Sequence, residues 1–184
     1  VQDQIAHQLY NGRSLKIGGD VYRLEVADWI GRGDEYKEVK KVGGIHFNDL
    51  PRGKFKSKFA KAYFKLEMEN IFSGGFFDHD RHGAQLKIDL QNKTVGIFDN
   101  GAMSTWRPEP EEKKQLGQVM NKVISRAAMG KDVGEALIDA VQNEMKHNGS
   151  SEYILAVQRG LLALNDFMRE MNGKDRAIVF IDTL

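Results

Sequence analysis

The stretch from Phe76 to Gly101 constrains this chain more than any other. Phe76 and Phe77 lead into a polar loop, Asp78-His79-Asp80-Arg81-His82-Gly83-Ala84-Gln85. A short apolar run, Leu86-Lys87-Ile88-Asp89, is followed by Leu90–Lys93 and then by Val95-Gly96-Ile97-Phe98-Asp99-Asn100-Gly101. Apolar runs of this length bounded by turn residues read as strands. Residues 86–89 and 94–98 are therefore expected to pair as a hairpin through Leu90–Lys93. Such a hairpin returns Asp99 to the end at which Asp80 begins. The two phenylalanines are expected to anchor the loop in the core and leave Asp80 at the surface of a cleft.

The remaining chain supports an ordinary globular fold. Its 184 residues suffice for one domain with a buried core, and 41% of them are hydrophobic. The 27 basic and 26 acidic side chains leave a net charge of +1, so global charge selects neither a nucleic acid nor a membrane surface. The absence of cysteine excludes disulfides, thiolate metal sites and a thiol nucleophile. No apolar run approaches the roughly 20 residues of a membrane span. Val1-Gln2-Asp3-Gln4-Ile5 does not read as a signal peptide. The expected protein is soluble, cytoplasmic or peripheral to a membrane. A start on Val1 rather than Met fits a trimmed chain or a fragment.

Several elements can be placed by pattern. Leu15-Lys16-Ile17 and Val21–Val26 alternate and are split by Gly18-Gly19-Asp20, which predicts a hairpin. Tyr36–Val42 reads as a further strand closed by Gly43-Gly44. Pro51 opens a helix of about twenty residues, with Phe55, Phe59, Ala62 and Leu66 at helical spacing and Ser73-Gly74-Gly75 at its end. Pro108-Glu109-Pro110-Glu111-Glu112 starts another. Three apolar stripes then predict three helices: Leu116–Ile124, Val133–Val141 and Ile154–Met168. Asp132 is a candidate cap for the second and Ser150 or Ser151 for the third, after a break at Asn148-Gly149. The tail Arg176–Ile181 is β-prone. The class is α+β.

The central loops carry the densest chemistry. Kinase-type phosphoryl transfer uses one Asp to orient the attacking hydroxyl, an amide side chain to hold a metal, and a second Asp to bridge metal and phosphates. Asp80, Gln85 and Asp99 match that layout at spacings of five and nineteen residues, with two apolar strands between. Taken singly, Asp99 beside Gly101 reads as a turn residue; the joint pattern favours the site.

The segment from Phe59 to Gln85 resembles the catalytic segment of the UbiB/aarF-domain atypical kinases. That family has a helix ending in apolar-Phe-x-x-Gly-Phe-Phe, then His-Ala-Asp-Pro-His-Pro-Gly-Asn. Asp80 matches the catalytic Asp and His82 the following His, while Ala84 stands at the family's Gly and Gln85 at its metal-binding Asn. Val95–Gly101 matches the strand ending in Asp-Phe-Gly, with Asn100 in place of Phe, and Asp78 replaces the loop His. Val39–Ile45 resembles the hinge that receives adenine. The resemblance covers about residues 36 to 145. It implies a protein-kinase-like fold, chiefly the helical C-lobe over 51–184, with a reduced N-lobe remnant and hinge over 1–50. It further implies ATP and Mg²⁺ as cofactors, Asp80 as catalytic base, Gln85 and Asp99 as metal ligands, and Val42, Gly43 and Gly44 beside adenine. The implied function is ATP-dependent phosphoryl transfer or ATP hydrolysis on a protein, lipid or small-molecule substrate. No Gly-rich phosphate loop and no Lys–Glu pair are found, and Lys16 on its strand reads as a solvated lysine. A catalytically inactive pseudokinase or scaffold is the alternative.

Two further features lie outside that layout. His79 and His82 invite a metal-hydrolase reading, but only His7, His46 and His147 remain as further histidines, none in a suitable helical context. Arg52, Lys54, Lys56, Lys58, Lys61 and Lys65 make a basic helix without an acid. An acidic partner would suit that face, and a solvated face is the plainer reading. Base-reading aromatics are not interleaved, so no nucleic acid is expected.

Overall fold

The computed structural model describes residues 1–32, 37–73, 75–105, 107–140 and 151–183. Tyr36, Gly74, Val141, His147 and residues 148–150, all used in the sequence reading, lie outside them. The class is α+β, with one mixed sheet of five strands.

The hairpin expected at the N-terminal side forms as β1 (Ser14–Ile17) and β2 (Asp20–Val26), antiparallel. Burial alternates along both, so one face packs inward. β3 (Trp29–Arg32) and β4 (Lys37–Val39) form a separate two-stranded ribbon. Val42 lies beyond β4, which is shorter than the pattern suggested. A two-residue strand, β5 (Ile45–His46), and a single 3₁₀ turn (Phe47–Asp49) precede the long helix α2 (Lys54–Phe72).

The central hairpin is realised as β6 (Leu86–Asp89) and β7 (Thr94–Ile97), paired Leu86 to Ile97 and Asp89 to Thr94. Asp89 holds the turn by accepting from the backbone N–H groups of Gln91 and Asn92. β7 then runs parallel to β2, giving the order β1-β2-β7-β6-β5. Parallel pairing needs a long crossover, here supplied by everything between Val26 and Thr94. Residues on both sides of position 50 thus share one sheet and one hydrophobic core.

Helices cover the sheet. α1 (Gln2–Tyr10), which periodicity did not reveal, buries only Ala6 and Tyr10. Phe59, Tyr63 and Phe64 of α2 are fully buried. α3 (Pro110–Ala128) begins at the proline-rich acidic signal, and Glu112 accepts from the Glu109 N–H at 2.7 Å. Asp132 caps α4 (Val133–Asp139) and Ser151 caps α5 (Glu152–Ala163), as their sequence positions suggest. The stripe through Met168 is broken at Leu164, so α6 (Asn165–Arg169) is separate from α5. The β-prone tail is instead a helix, α7 (Gly173–Thr183). It packs on α2, with Val179 and Phe180 buried and Lys61–Asp175 and Lys65–Asp182 ion pairs flanking the contact. With Lys56–Glu170 these pairs occupy three cations of the basic helix face. Among the described residues no helix is long and apolar enough to cross a membrane.

Gly44 sits where only glycine fits. Its φ is +99°, and a Cβ there would lie 2.5 Å from the carbonyl carbon and oxygen of Ile88. Gly12 also has positive φ, +81°, but open space around it. Gly12→Ala is therefore expected to lose about 1 kcal/mol from backbone conformation alone. Gly44→Ala should lose about 3 kcal/mol or more, because conformational strain and collision add. Urea unfolding of the two variants checks this; equal losses would contradict it.

Candidate functional site

The polar loop is built around one buried cation. Arg81 is fully buried, and its Nη2 donates to Asp78 at 2.6 Å and to the Asn100 side-chain oxygen at 2.8 Å. Its Nη1 donates to the Phe98 carbonyl at 3.0 Å and to Gln85 Oε1 at 3.4 Å. Phe77 anchors the loop in the core, as expected, and Ser104 accepts from its N–H and donates its own N–H to its carbonyl. His79 N–H reaches the Ala102 carbonyl at 3.1 Å. The segment 77–85 is thereby sewn to the segment 98–104 that follows β7.

A second layer of buried polar groups lies behind Arg81. Tyr10 of α1 donates to both Glu67 carboxylate oxygens at 2.9 and 3.0 Å, and its ring centroid lies 5.7 Å from the Arg81 guanidinium carbon. Asn70 donates to Glu67 at 3.3 Å and accepts from Arg13 at 2.9 Å. Burial raises the pKa of Glu67 above the ordinary 4.5, although Arg81 and the two tyrosines Tyr63 and Tyr10 oppose the shift. Burial likewise holds Tyr10 and Tyr63 well above the usual phenol range, with Glu67 adding to it. Burial pulls the Arg81 guanidinium down, but Asp78 and the neighbouring acidic groups more than offset this, so the cation is secured.

The sequence-derived site residues fall in different environments. Asp80 is exposed on the loop, its N–H bonded to Asp78 Oδ1 at 2.9 Å. Asp99 is exposed directly after β7 with φ +58°, a left-handed conformation that Asp tolerates better than most residues. Gln85 is buried; its Oε1 accepts from the His82 N–H at 3.3 Å in a capping-box arrangement as well as from Arg81. Val42 is half-buried, and its side chain fills the notch left by Gly96 on β7, where a Cβ would lie 1.9 Å from Val42 Cγ1. Gly44 is pressed against the Ile88 backbone.

Asp99 and Val42 line one cavity of about 540 Å³. Ala27 and Phe98 add to its apolar wall, Lys40, Lys41 and Lys87 are its cations, and Asn100, Gly101 and Asp3 of α1 complete the side near Asp99. His46 meets the Phe98 ring edge-on at 5.7 Å. Asn100 bridges this cavity to the buried network, since it accepts from Arg81 and donates to Asp3 at 3.5 Å. Gly43 lines a neighbouring cavity of about 410 Å³, which shares Ala27, Lys40, Lys41 and Val42 with the first. Neither cavity is lined by Asp80, Gln85 or Gly44. Lys16 lies on β1 among Lys58, Lys61 and Lys65, at a different cavity.

The histidines of the loop are set apart from one another by role. His79 Nδ1 is buried without a hydrogen-bond partner, while His82 caps the 3₁₀ turn Gly83–Gln85. Among the described residues no group of three or more His, Cys, Asp or Glu side chains could hold a metal ion. The residues that sequence reading passed over are Arg81, Lys40, Lys41 and Lys87. A charged side chain within a loop anchored by two phenylalanines is the one signal that could have flagged Arg81. No protein-family model, curated protein or solved structure matches the chain.

Two outcomes follow from the buried network. Arg81→Met leaves Asp78 buried without its cation and is expected to destabilise by about 3–5 kcal/mol, part of which returns in the Arg81→Met/Asp78→Leu double variant. Denaturant unfolding of both variants measures this. For Glu67, a raised folded pKa means that its favourable contribution is complete below about 4.5 and is lost as pH rises through the folded value. The stability of the wild type relative to Glu67→Gln should therefore decline with pH from about 4.5 upward and level off once Glu67 is ionised in the fold. A pH-independent difference between the two proteins would exclude this account.

Proposed function

We propose that this chain binds a nucleotide in the 540 Å³ cavity and acts as a kinase-like, ATP-dependent phosphotransferase or ATPase with Mg²⁺, on a protein-kinase-like C-lobe scaffold akin to the UbiB/aarF-domain kinases. The observation that carries the reading is that Val42 and Asp99, fifty-seven positions apart and assigned separately to adenine and to metal, line the same cavity. Its volume lies within the several hundred Å³ common for small-molecule sites, and apolar walls with a few charged groups are the usual chemistry of such sites. Adenine suits the wall made by Val42, Ala27 and Phe98.

The residues fit a hard cation in part. Asp99 is exposed to the cavity and Asp3 supplies a second carboxylate on the same side, both oxygen donors of the kind Mg²⁺ prefers. When bound, Mg²⁺ neutralises phosphate charge. Asp80 stands exposed on a loop fixed through its neighbours Asp78 and Arg81, outside the lining of the cavity, where its carboxylate is free to accept a hydrogen bond from the hydroxyl of a substrate or water that reaches the loop from solvent.

A second reading is favoured by Gln85. Its amide oxygen is turned into the loop and bonded there, away from the cavity. That arrangement suits a pseudokinase, which binds nucleotide without turning it over.

Asp99→Gly separates binding from folding, because glycine adopts the left-handed backbone without strain. The variant is expected to melt close to the wild type and to lose the Mg²⁺-dependent thermal stabilisation by ATP. Asp80→Asn should keep that stabilisation and turn over at least ~100-fold more slowly. Nucleotide binding with no turnover in the wild type would favour the pseudokinase; no stabilisation by any nucleotide would remove both readings.

A further inference from the structure

The cavity is rich in cations that the fold itself does not neutralise. Lys56, Lys61, Lys65, Lys93 and Lys131 each pair with an acid within the chain. Among the described residues, Lys40, Lys41 and Lys87 have no carboxylate within 4.0 Å, although Asp3 and Asp99 line the same cavity. Pairing like this was open to the chain and is not used where the cavity lies.

The lysines are also held in place. Lys40 N–H donates to the Asp28 carbonyl at 2.7 Å, and Val42 is seated over Gly96 two residues later. The strap carrying Lys40 and Lys41 is therefore fixed on both sides of the pair. Lys87 rises from β6 beneath the strap, where its Nζ donates to the Val42 carbonyl at 3.4 Å. That bond is long and uses one of three ammonium protons, leaving donors for a ligand. The three lysines thus come from two separate elements and all line one cavity with an apolar wall, with Lys40 and Lys41 shared with the neighbouring cavity.

We propose that Lys40, Lys41 and Lys87 form a phosphate-binding subsite of this cavity, and that its ligand is an organic polyphosphate. The inference rests on the nucleotide reading above and adds to it the residues that take the place of a glycine-rich phosphate loop. The lysine ammonium groups meet phosphate oxygens, Ala27, Val42 and Phe98 meet the organic part, and Asp99 faces the polyphosphate through a divalent cation. Asp3 and Asp99 offset two of the three lysine charges, so the divalent cation at Asp99 is what lets the cavity match more than one phosphate, and in its presence affinity should climb with the number of phosphates.

Calorimetric titration of the full chain with adenosine, AMP, ADP, ATP and inorganic tripolyphosphate, each with Mg²⁺, tests this. Affinity is expected to rise from AMP to ATP and to weaken as salt is added. Lys40→Gln/Lys41→Gln should weaken ATP about 25-fold, taking about fivefold for each exposed charge. Lys87→Gln should weaken it about tenfold, whereas Lys87→Arg, which keeps the charge, should stay within about threefold. Adenosine should bind the wild type and the double variant alike. If ATP binds the double variant as well as the wild type, the subsite is wrong and the nucleotide reading stands. Lysine-dependent binding of tripolyphosphate without binding of ATP upholds the subsite and removes the nucleotide. Failure of every probe to bind removes both.

Discussion

The buried guanidinium of Arg81 is the interaction on which the rest of the structure depends. Removing such a charge from water costs several kcal/mol unless the surroundings replace its hydration. Here the replacement is specific: one carboxylate, one backbone carbonyl and two side-chain amides, drawn from Asp78, Phe98, Asn100 and Gln85. These acceptors come from the loop before β6 and the loop after β7. Satisfying Arg81 therefore requires both loops to meet, whatever else they do. Asp80 precedes Arg81 in the chain, and Asp99 lies between two of its acceptors, so one cation fixes the neighbourhoods of both aspartates. Through Tyr10 and Glu67 the same network reaches α1 and α2. The left-handed backbone at Asp99, which would relax if unsupported, is clamped on either side by Arg81's bonds to Phe98 and Asn100.

A second constraint, steric rather than electrostatic, positions the other wall of the cavity. β7 is central in the sheet, and its side chains alternate between faces. Val95 and Ile97 enter the core, while Gly96 leaves a notch on the opposite face. Val42 fills that notch, and Gly44 allows the chain to run tight against Ile88 immediately afterwards. Two glycines thus bring the strap 40–43 onto the sheet beside Phe98 and Asp99. The cavity lies between this strap, pinned by packing at Val42, and the turn at Asp99, with Phe98 in its wall.

Local patterns in the sequence revealed those features whose cause is local. The β6–β7 hairpin follows from alternation and a turn that Asp89 closes, and the caps at Asp132 and Ser151 follow from side chains bonding their own helix ends. Features set by distant contacts were hidden. α1 is short: Ala6 and Tyr10 are buried and Ile5 and Leu9 pack beside them, a stripe of under three turns that sequence reading passed over among polar neighbours. The run Ile178-Val179-Phe180-Ile181 favours a strand by propensity, but packing against α2 and the ion pairs from Asp175 and Asp182 hold it helical. The parallel pairing of β2 with β7 spans about seventy residues and has no local signature. Within the site, Asp80, Gln85 and Asp99 were legible as a spacing. That Gln85 turns inward was not, because it depends on Arg81, whose burial no pattern of charges along the loop expresses.

The orientation of Gln85 bears on what the cavity can do. Its two hydrogen bonds, at 3.3 and 3.4 Å, lie at the long and weak end of the range. Turned inward, the amide oxygen gives the His82 N–H an acceptor and adds a second one to the Arg81 Nη1 that already donates to the Phe98 carbonyl. An asparagine here would be one methylene shorter and could not reach back across the 3₁₀ turn in the same way. The longer side chain therefore serves the loop's own structure: it adds an acceptor to a cation that already joins the two aspartate loops and whose Nε–H is buried without a partner. The cavity with Asp99, Val42 and the three lysines is formed without Gln85, whereas a metal held from the Gln85 side would require the amide to leave Arg81 and His82.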